Sequence, residues 1–115
     1  MSSDIKFEVV RPQGILDGTQ ANVFRREVRD RLDNQANIVL VNLQDVTFID
    51  SSGLGALVSA LKMVRTAGAK MVICSINDQV RMLFELTSMD RVFKVYPNEE
   101  AFENEVKNPE VSSDI

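Results

Sequence analysis

Asp50-Ser51-Ser52-Gly53-Leu54-Gly55 brings two hydroxyls and a carboxylate to the point where an apolar run, Ile38 to Ile49, gives way to a helix-period pattern. The first turn of a helix has unpaired N–H groups and the positive end of the helix dipole. Both favour an anion, including one made by phosphorylating a serine. Gly53 leaves no side chain to shield the neighbouring hydroxyl, and Gly55 lets another backbone approach closely. Each polar residue also has a purely structural reading. Ser51 and Ser52 can be an N-cap pair, with Ser51 the main alternative to Ser52 as a modified residue. Asp50 can be a loop carboxylate accepting nearby N–H groups. Asp17 can cap the first helix, a role equally open to Thr19, or contact a partner.

Other chemistries lack their parts. The nucleophile elbow of a hydrolase needs glycine two places before and two after its serine, but Asp50 and Leu54 stand there around Ser52, and the chain has no histidine to act as base. No enzyme activity is expected. With no histidine and only Cys74, scattered carboxylates remain as metal ligands, without calcium-loop spacing. Gly53-Leu54-Gly55 lacks both the third glycine of a dinucleotide fingerprint and a phosphate-loop lysine, so no cofactor is expected.

Alternating elements must position the hexapeptide. Phe7 to Val10 and Ile15 to Leu16 flank Arg11-Pro12-Gln13-Gly14, a turn sequence that predicts an antiparallel hairpin. Ala21, Phe24, Val28 and Leu32 line one side of a helix ending at Asn34. Ile38 to Leu43 is nearly continuous in apolar residues and reads as the central strand, covered on both faces. Leu54, Leu57, Val58, Leu61 and Val64 form the stripe of a second helix, with Gly68 as its stop. Met71 to Cys74 is the next strand. A third helix capped by Asn77 or Asp78 would bury Val80, Leu83, Phe84 and Thr87, followed by a strand over Val92 to Tyr96 and a fourth helix capped by Asn98. The fold class is therefore α/β, a small mixed but mostly parallel sheet with an N-terminal hairpin and about four helices. Residues 1–107 form one domain and 108–115 a loose polar tail.

This layout puts Asp50 at the end of the central strand and Asp17 at the end of the hairpin, the edge where open α/β sheets place their sites. Down the second helix from Ser52, Ala56, Ser59 and Met63 fall outside the apolar stripe. They would present a flat docking face ending in an adaptable thioether.

Val46-Thr47-Phe48-Ile49 followed by the hexapeptide resembles the signature of bacterial anti-sigma factor antagonists, the STAS domain family. The resemblance takes in Gly14-Ile15-Leu16-Asp17, Gly68-Ala69-Lys70-Met71-Val72 and Val80-Arg81-Met82-Leu83-Phe84, nearly the whole chain. It implies a protein that binds a kinase-type anti-sigma factor, is phosphorylated by it on the second serine of the motif, here Ser52, and is restored by a serine phosphatase. It also implies that Asp17 and Asp50 lie on the partner-facing surface. The same domain serves elsewhere as a scaffold or nucleotide-binding sensor module, which is the alternative reading.

Composition narrows the partners. A net charge of −4 and a pI near 4.8 argue against nucleic acid and anionic membranes, which require a concentrated positive face. Arg25, Arg26, Arg29 and Arg31 are interleaved with Glu27, Asp30 and Asp33, the pattern of a solvated helix face. No apolar stretch approaches the ~18 residues of a membrane span. Met1-Ser2-Ser3-Asp4 lacks the features of a signal peptide, and Cys74 has no disulfide partner in the chain, so the expected location is the cytoplasm.

Overall fold

Four of the five residues of strand β3 (Ile38–Asn42) are buried, and the strand lies inside the sheet with Val39 and Val41 on one face and Leu40 on the other. A computed structural model describes residues 5–107. In it β3 is flanked by β1 (Phe7–Val10) and β5 (Lys70–Cys74), with β6 (Val95–Tyr96) beyond β5, in the order β1-β3-β5-β6. Every pairing is parallel. A separate two-stranded unit joins β2 (Gly14–Leu16) to β4 (Val46–Ile49), also in parallel.

The α/β class, the mostly parallel sheet and the four helices agree with the expectation, but the N-terminal hairpin does not form. β1 pairs with β3, and β2 leaves for β4. Arg11-Pro12-Gln13 carries the chain across rather than back. The Arg11 guanidinium is held by Glu99 at 2.7 Å, and the Gly14 N–H donates to the Asp45 carbonyl at 2.9 Å. Gly14 has φ +75, a conformation that suits glycine. The long apolar run likewise divides, with β3 ending at Asn42 and β4 starting at Val46, so Asp50 follows β4 and not the central strand.

Helices α1 (Gly18–Asp33), α2 (Ser51–Thr66) and α3 (Asp78–Leu86) bury one face of the sheet. Phe24, Val28, Leu57, Val64, Val80 and Phe84 meet Val39, Val41 and Ile73 there. Helix α4 (Glu99–Lys107) covers the other face through Phe102, whose ring stands edge-on to Phe7 and Tyr96 at 5.0 and 5.4 Å. Burying one such ring stabilises the fold by roughly 1.5–3 kcal/mol.

The caps are local and largely as predicted. Asn77 caps α3 by accepting the Val80 N–H at 2.9 Å, Asn98 accepts the Ala101 N–H at 2.8 Å, and Gly68, at φ +81, follows α2. Thr87 is exposed rather than inward, because its hydroxyl donates to the Leu83 carbonyl at 2.7 Å and closes α3. The last strand is shorter than predicted. Val92 and Phe93 belong to the turn following a 3-10 segment (Met89–Arg91), where Phe93 stacks on Phe84 at 5.6 Å. The outer edge of β4 is closed by a side chain: the Gln79 amide accepts the Ile49 N–H at 3.0 Å and donates to the Ile49 carbonyl at 3.1 Å. The expected tail, 108–115, lies outside the described residues.

Candidate functional site

Leu16 and Ile49 are partners in the parallel β2–β4 register, so the residues that follow them, Asp17 and Asp50, start α1 and α2 from neighbouring points. Two helix N-termini and two carboxylates thus converge at one end of the molecule. Both aspartates are N-caps. Asp50 accepts the Gly53 N–H at 2.9 Å. Asp17 takes the α1 cap in preference to Thr19, accepting the N–H groups of Thr19 and Gln20 at 3.0 and 3.3 Å and the Thr19 hydroxyl at 2.6 Å. The Thr19 hydroxyl, aided by the backbone donors, holds the Asp17 carboxyl below its ordinary value, against a smaller opposing effect of burial.

Ser51 and Ser52 open α2, and both are exposed, while the cap itself is Asp50. Ser52 leans on the first turn of α1. An ideal Cβ on Gly18 would lie 3.7 Å from the Ser52 Cβ and 3.8 Å from its Oγ. Gly18 was not singled out by sequence reasoning, although a glycine directly after a capping aspartate was the available sign. Its missing side chain leaves the flank of the hydroxyl open.

Gly53 plays a different part from the one its sequence suggested. It is buried, and a Cβ there would fall 1.9 Å from the Leu16 carbonyl oxygen, so glycine allows α2 to begin against the end of β2. It offers no surface to a partner. Gly55 is exposed, with nothing within 4 Å of a built Cβ, and leaves room for a visiting backbone.

The small-residue docking face does not survive as expected. Ala56 is only 1% exposed and belongs to the core shared by α1, α2 and the sheet. α1 runs against α2 in the most extensive helix contact of the fold, and the small side chains Ala56 and Ala60 permit the close approach. Met63 is half-buried and packs against the same core; Ser59 is half-buried.

An apolar pair that the sequence reading passed over stands beside the two caps instead. Ile15 and Phe48 face each other across β2 and β4 and are 53% and 45% exposed. Within β4, Val46 and Ile49 point inward while Thr47 and Phe48 are exposed, so strict alternation would not have found them. Asp17, Asp50, Ser51, Ser52, Ile15 and Phe48 therefore occupy one end of the β2–β4 unit. No group of His, Cys, Asp or Glu suited to a metal occurs among the described residues, and none of their helices is long and apolar enough to cross a membrane.

The sequence pattern of the STAS domain matches residues 4–102. An anti-sigma F factor antagonist of Paenibacillus polymyxa is 27% identical over 92 residues, covering 79% of each chain. The protein TM1081, solved by NMR, superposes with a TM-score of 0.76 at 30% identity, over 88% of this chain and 82% of the other. The anti-sigma factor antagonist SpoIIAA in its unphosphorylated form gives a TM-score of 0.70 at 18% identity, over 90% of this chain and 91% of the other. Its phosphorylated form, described as a Bacillus cell fate determinant, gives 0.65 at 17%, over 90% and 95%. At that identity the likeness concerns the fold. With the family pattern spanning 4–102 and strands and helices superposing over most of the length, the chain belongs to the STAS domain family.

Proposed function

We propose that this protein is an anti-sigma factor antagonist: unphosphorylated, it occupies a kinase-type anti-sigma factor in the cytoplasm, and phosphate placed on Ser52 by that kinase releases it. A serine phosphatase restores the binding form. The observation that carries the reading is the exposed Ser52 side chain at the junction of two helix N-termini, flanked by Asp17, Asp50 and the open side of Gly18. The relatives' descriptions as anti-sigma factor antagonists supply the partner class.

The switch follows from charge. A phosphate adds about 1.5–2 negative charges beside two carboxylates, and two helix N-termini offset part of that repulsion within the fold. The protein keeps its structure while its surface changes. A partner that desolvates this corner, or brings an acidic group to it, meets a penalty of about 3–4 kcal/mol, roughly two to three orders of magnitude in affinity. Asp17, Asp50, Ser51 and Gly55 form the rim of the docking surface, and Ile15 with Phe48 supplies its apolar part. Ser59 and Met63 contribute at most their half-exposed edges.

The test is phosphotransfer. Incubation with the kinase-type anti-sigma factor and ATP, followed by mass mapping, should place one phosphate on Ser52 and none on the Ser52→Ala variant. Label on Ser51 would move the site by one residue, and absence of label from the wild type would refute the kinase partnership.

A further inference from the structure

Only part of the β5 edge is covered. β5 begins at Lys70, but β6 pairs with Ile73 and Cys74 alone. The backbone of β5 alternates between its two neighbours. The Lys70 N–H donates to Asn37 and the Cys74 carbonyl accepts from Leu43 on the β3 side, while the Ile73 N–H donates to Lys94 and the Ser75 N–H to Tyr96 on the other. That alternation turns the N–H and C=O of Met71 outward, past the end of β6. There no backbone group among the described residues bonds them.

They open into a cleft of about 420 Å³ between the C-terminal part of α2 and α4, a size typical of small-ligand sites. Leu61, Met71 and Tyr96 give it apolar walls. Arg65, Lys70 and Lys94 bring three positive charges to it in a chain whose net charge is −4, and none of the three joins an ion pair among the described residues. Lys94 Nζ stands 5.5 Å from the centre of the Tyr96 ring. Glu105 also lines the cleft, but its carboxylate is engaged by the Tyr96 hydroxyl, which donates to it at 2.7 Å. Three positive charges therefore face one carboxylate across the cleft, with the free N–H and C=O of Met71 at its side.

We propose that this cleft binds a small organic anion: a carboxylate, sulfonate or phosphate ester on a flat apolar body. The anionic group sits among Lys70, Lys94 and the Met71 N–H, and the body lies along the sheet edge between Leu61 on the α2 side and Tyr96 on the α4 side. The Tyr96 ring holds the Lys94 ammonium beside the cleft by cation–π attraction, which fixes where that charge is presented. The cleft adjoins the C-terminal part of α2, whereas Ser52 opens that helix, so the two sites are separate.

Anilinonaphthalene sulfonate supplies the probe, and N-phenylnaphthylamine is its uncharged counterpart. Titrated into the full chain, the sulfonate should move the amide resonances of Met71, Lys94 and Tyr96 most. The uncharged compound should bind about tenfold more weakly or worse, as should the sulfonate with the doubly substituted Lys70→Gln, Lys94→Gln protein. Both lysines are exposed, and amide spectra away from the cleft report that the variant is folded. Shifts centred on Ile15 and Phe48, no saturable shift, equal affinity for the uncharged compound, or unchanged affinity of the variant would each overturn the proposal.

Discussion

The carbonyl oxygen of Leu16 occupies the space that a side chain on residue 53 would need: a Cβ on Gly53 would lie 1.9 Å from it. The obstacle is backbone, which cannot swing aside as the tip of a side chain could. Gly53→Ala must therefore displace the first turn of α2 or the end of β2, at a cost of about 1–3 kcal/mol. Gly55, five residues from the cap, has nothing within 4 Å of a built Cβ and no positive φ, so Gly55→Ala should stabilise the helix by about 0.5–1 kcal/mol. Urea denaturation of the two variants should move the midpoint in opposite directions. A neutral Gly53→Ala would show that the contact is not required.

Charge at position 52 should separate binding from folding. Ser52→Ala should retain affinity for the anti-sigma factor and lose phosphorylation, whereas Ser52→Asp should weaken binding by roughly tenfold or more, one carboxylate being a partial imitation of phosphate. Calorimetric titration against the partner decides. Equal affinities for the two variants would contradict the charge switch.

Apolar docking should fail separately from phosphorylation chemistry. Ile15 and Phe48 are each about half exposed, so Ile15→Asp and Phe48→Asp should perturb stability little but weaken the complex by about 1–3 kcal/mol each if these residues lie in a desolvated interface centre. Surface-based binding assays with circular dichroism as a folding control would show it. Undiminished affinity in both variants would remove the pair from the interface.

Tyr96 is the chain's single tyrosine, and burial, followed by the hydrogen bond to Glu105 and the proximity of that carboxylate's charge, pushes its phenol up to about 12. The near-ultraviolet absorbance of tyrosinate should therefore rise well above the ordinary range near 10. A raised folded value favours the protonated fold, so its contribution to stability is complete below the unfolded pKa and disappears as pH climbs through the folded one. Glu105→Gln should bring the transition down. A midpoint near 10 in the native wild type would mean that the ring is more open to solvent than its burial indicates.

The parts of this architecture legible in the sequence are those set by near neighbours. Asn77 and Asn98 announce their helices because a capping side chain bonds N–H groups two or three residues on, whereas α2 is capped by Asp50 where Ser51 and Ser52 were the expected pair. Val39, Leu40 and Val41 announce a strand covered on both faces because no polar residue interrupts them. The pairing of β2 with β4 was hidden, since Arg11-Pro12-Gln13-Gly14 suits a reversal and a change of sheet equally, and the partners β1 and β2 take, β3 and β4, lie about thirty residues further along the chain. Ala56 misled for a related reason. A small residue outside the main apolar stripe looks like surface until a second helix is laid beside it, and nothing local to α2 records where α1 will lie. At the candidate site, Asp17, Asp50, Ser51 and Ser52 were visible as residue types and Gly18 could have been read from its place after Asp17, whereas Ile15 and Phe48 acquire meaning only once two strands stand side by side.

The Gln79 side-chain amide lies against Ile49 as another strand's peptide would, giving one hydrogen bond and taking one. Beside the corner proposed for binding, β4 thereby offers no bare ribbon edge along which identical molecules could zip together into polymers. Gln79→Leu should unmask that tendency, seen as concentration-dependent light scattering, and scattering unchanged from the wild type would show that the Asn77 amide, which donates to the Val46 and Thr47 carbonyls at 3.1 and 3.3 Å, protects β4 without it.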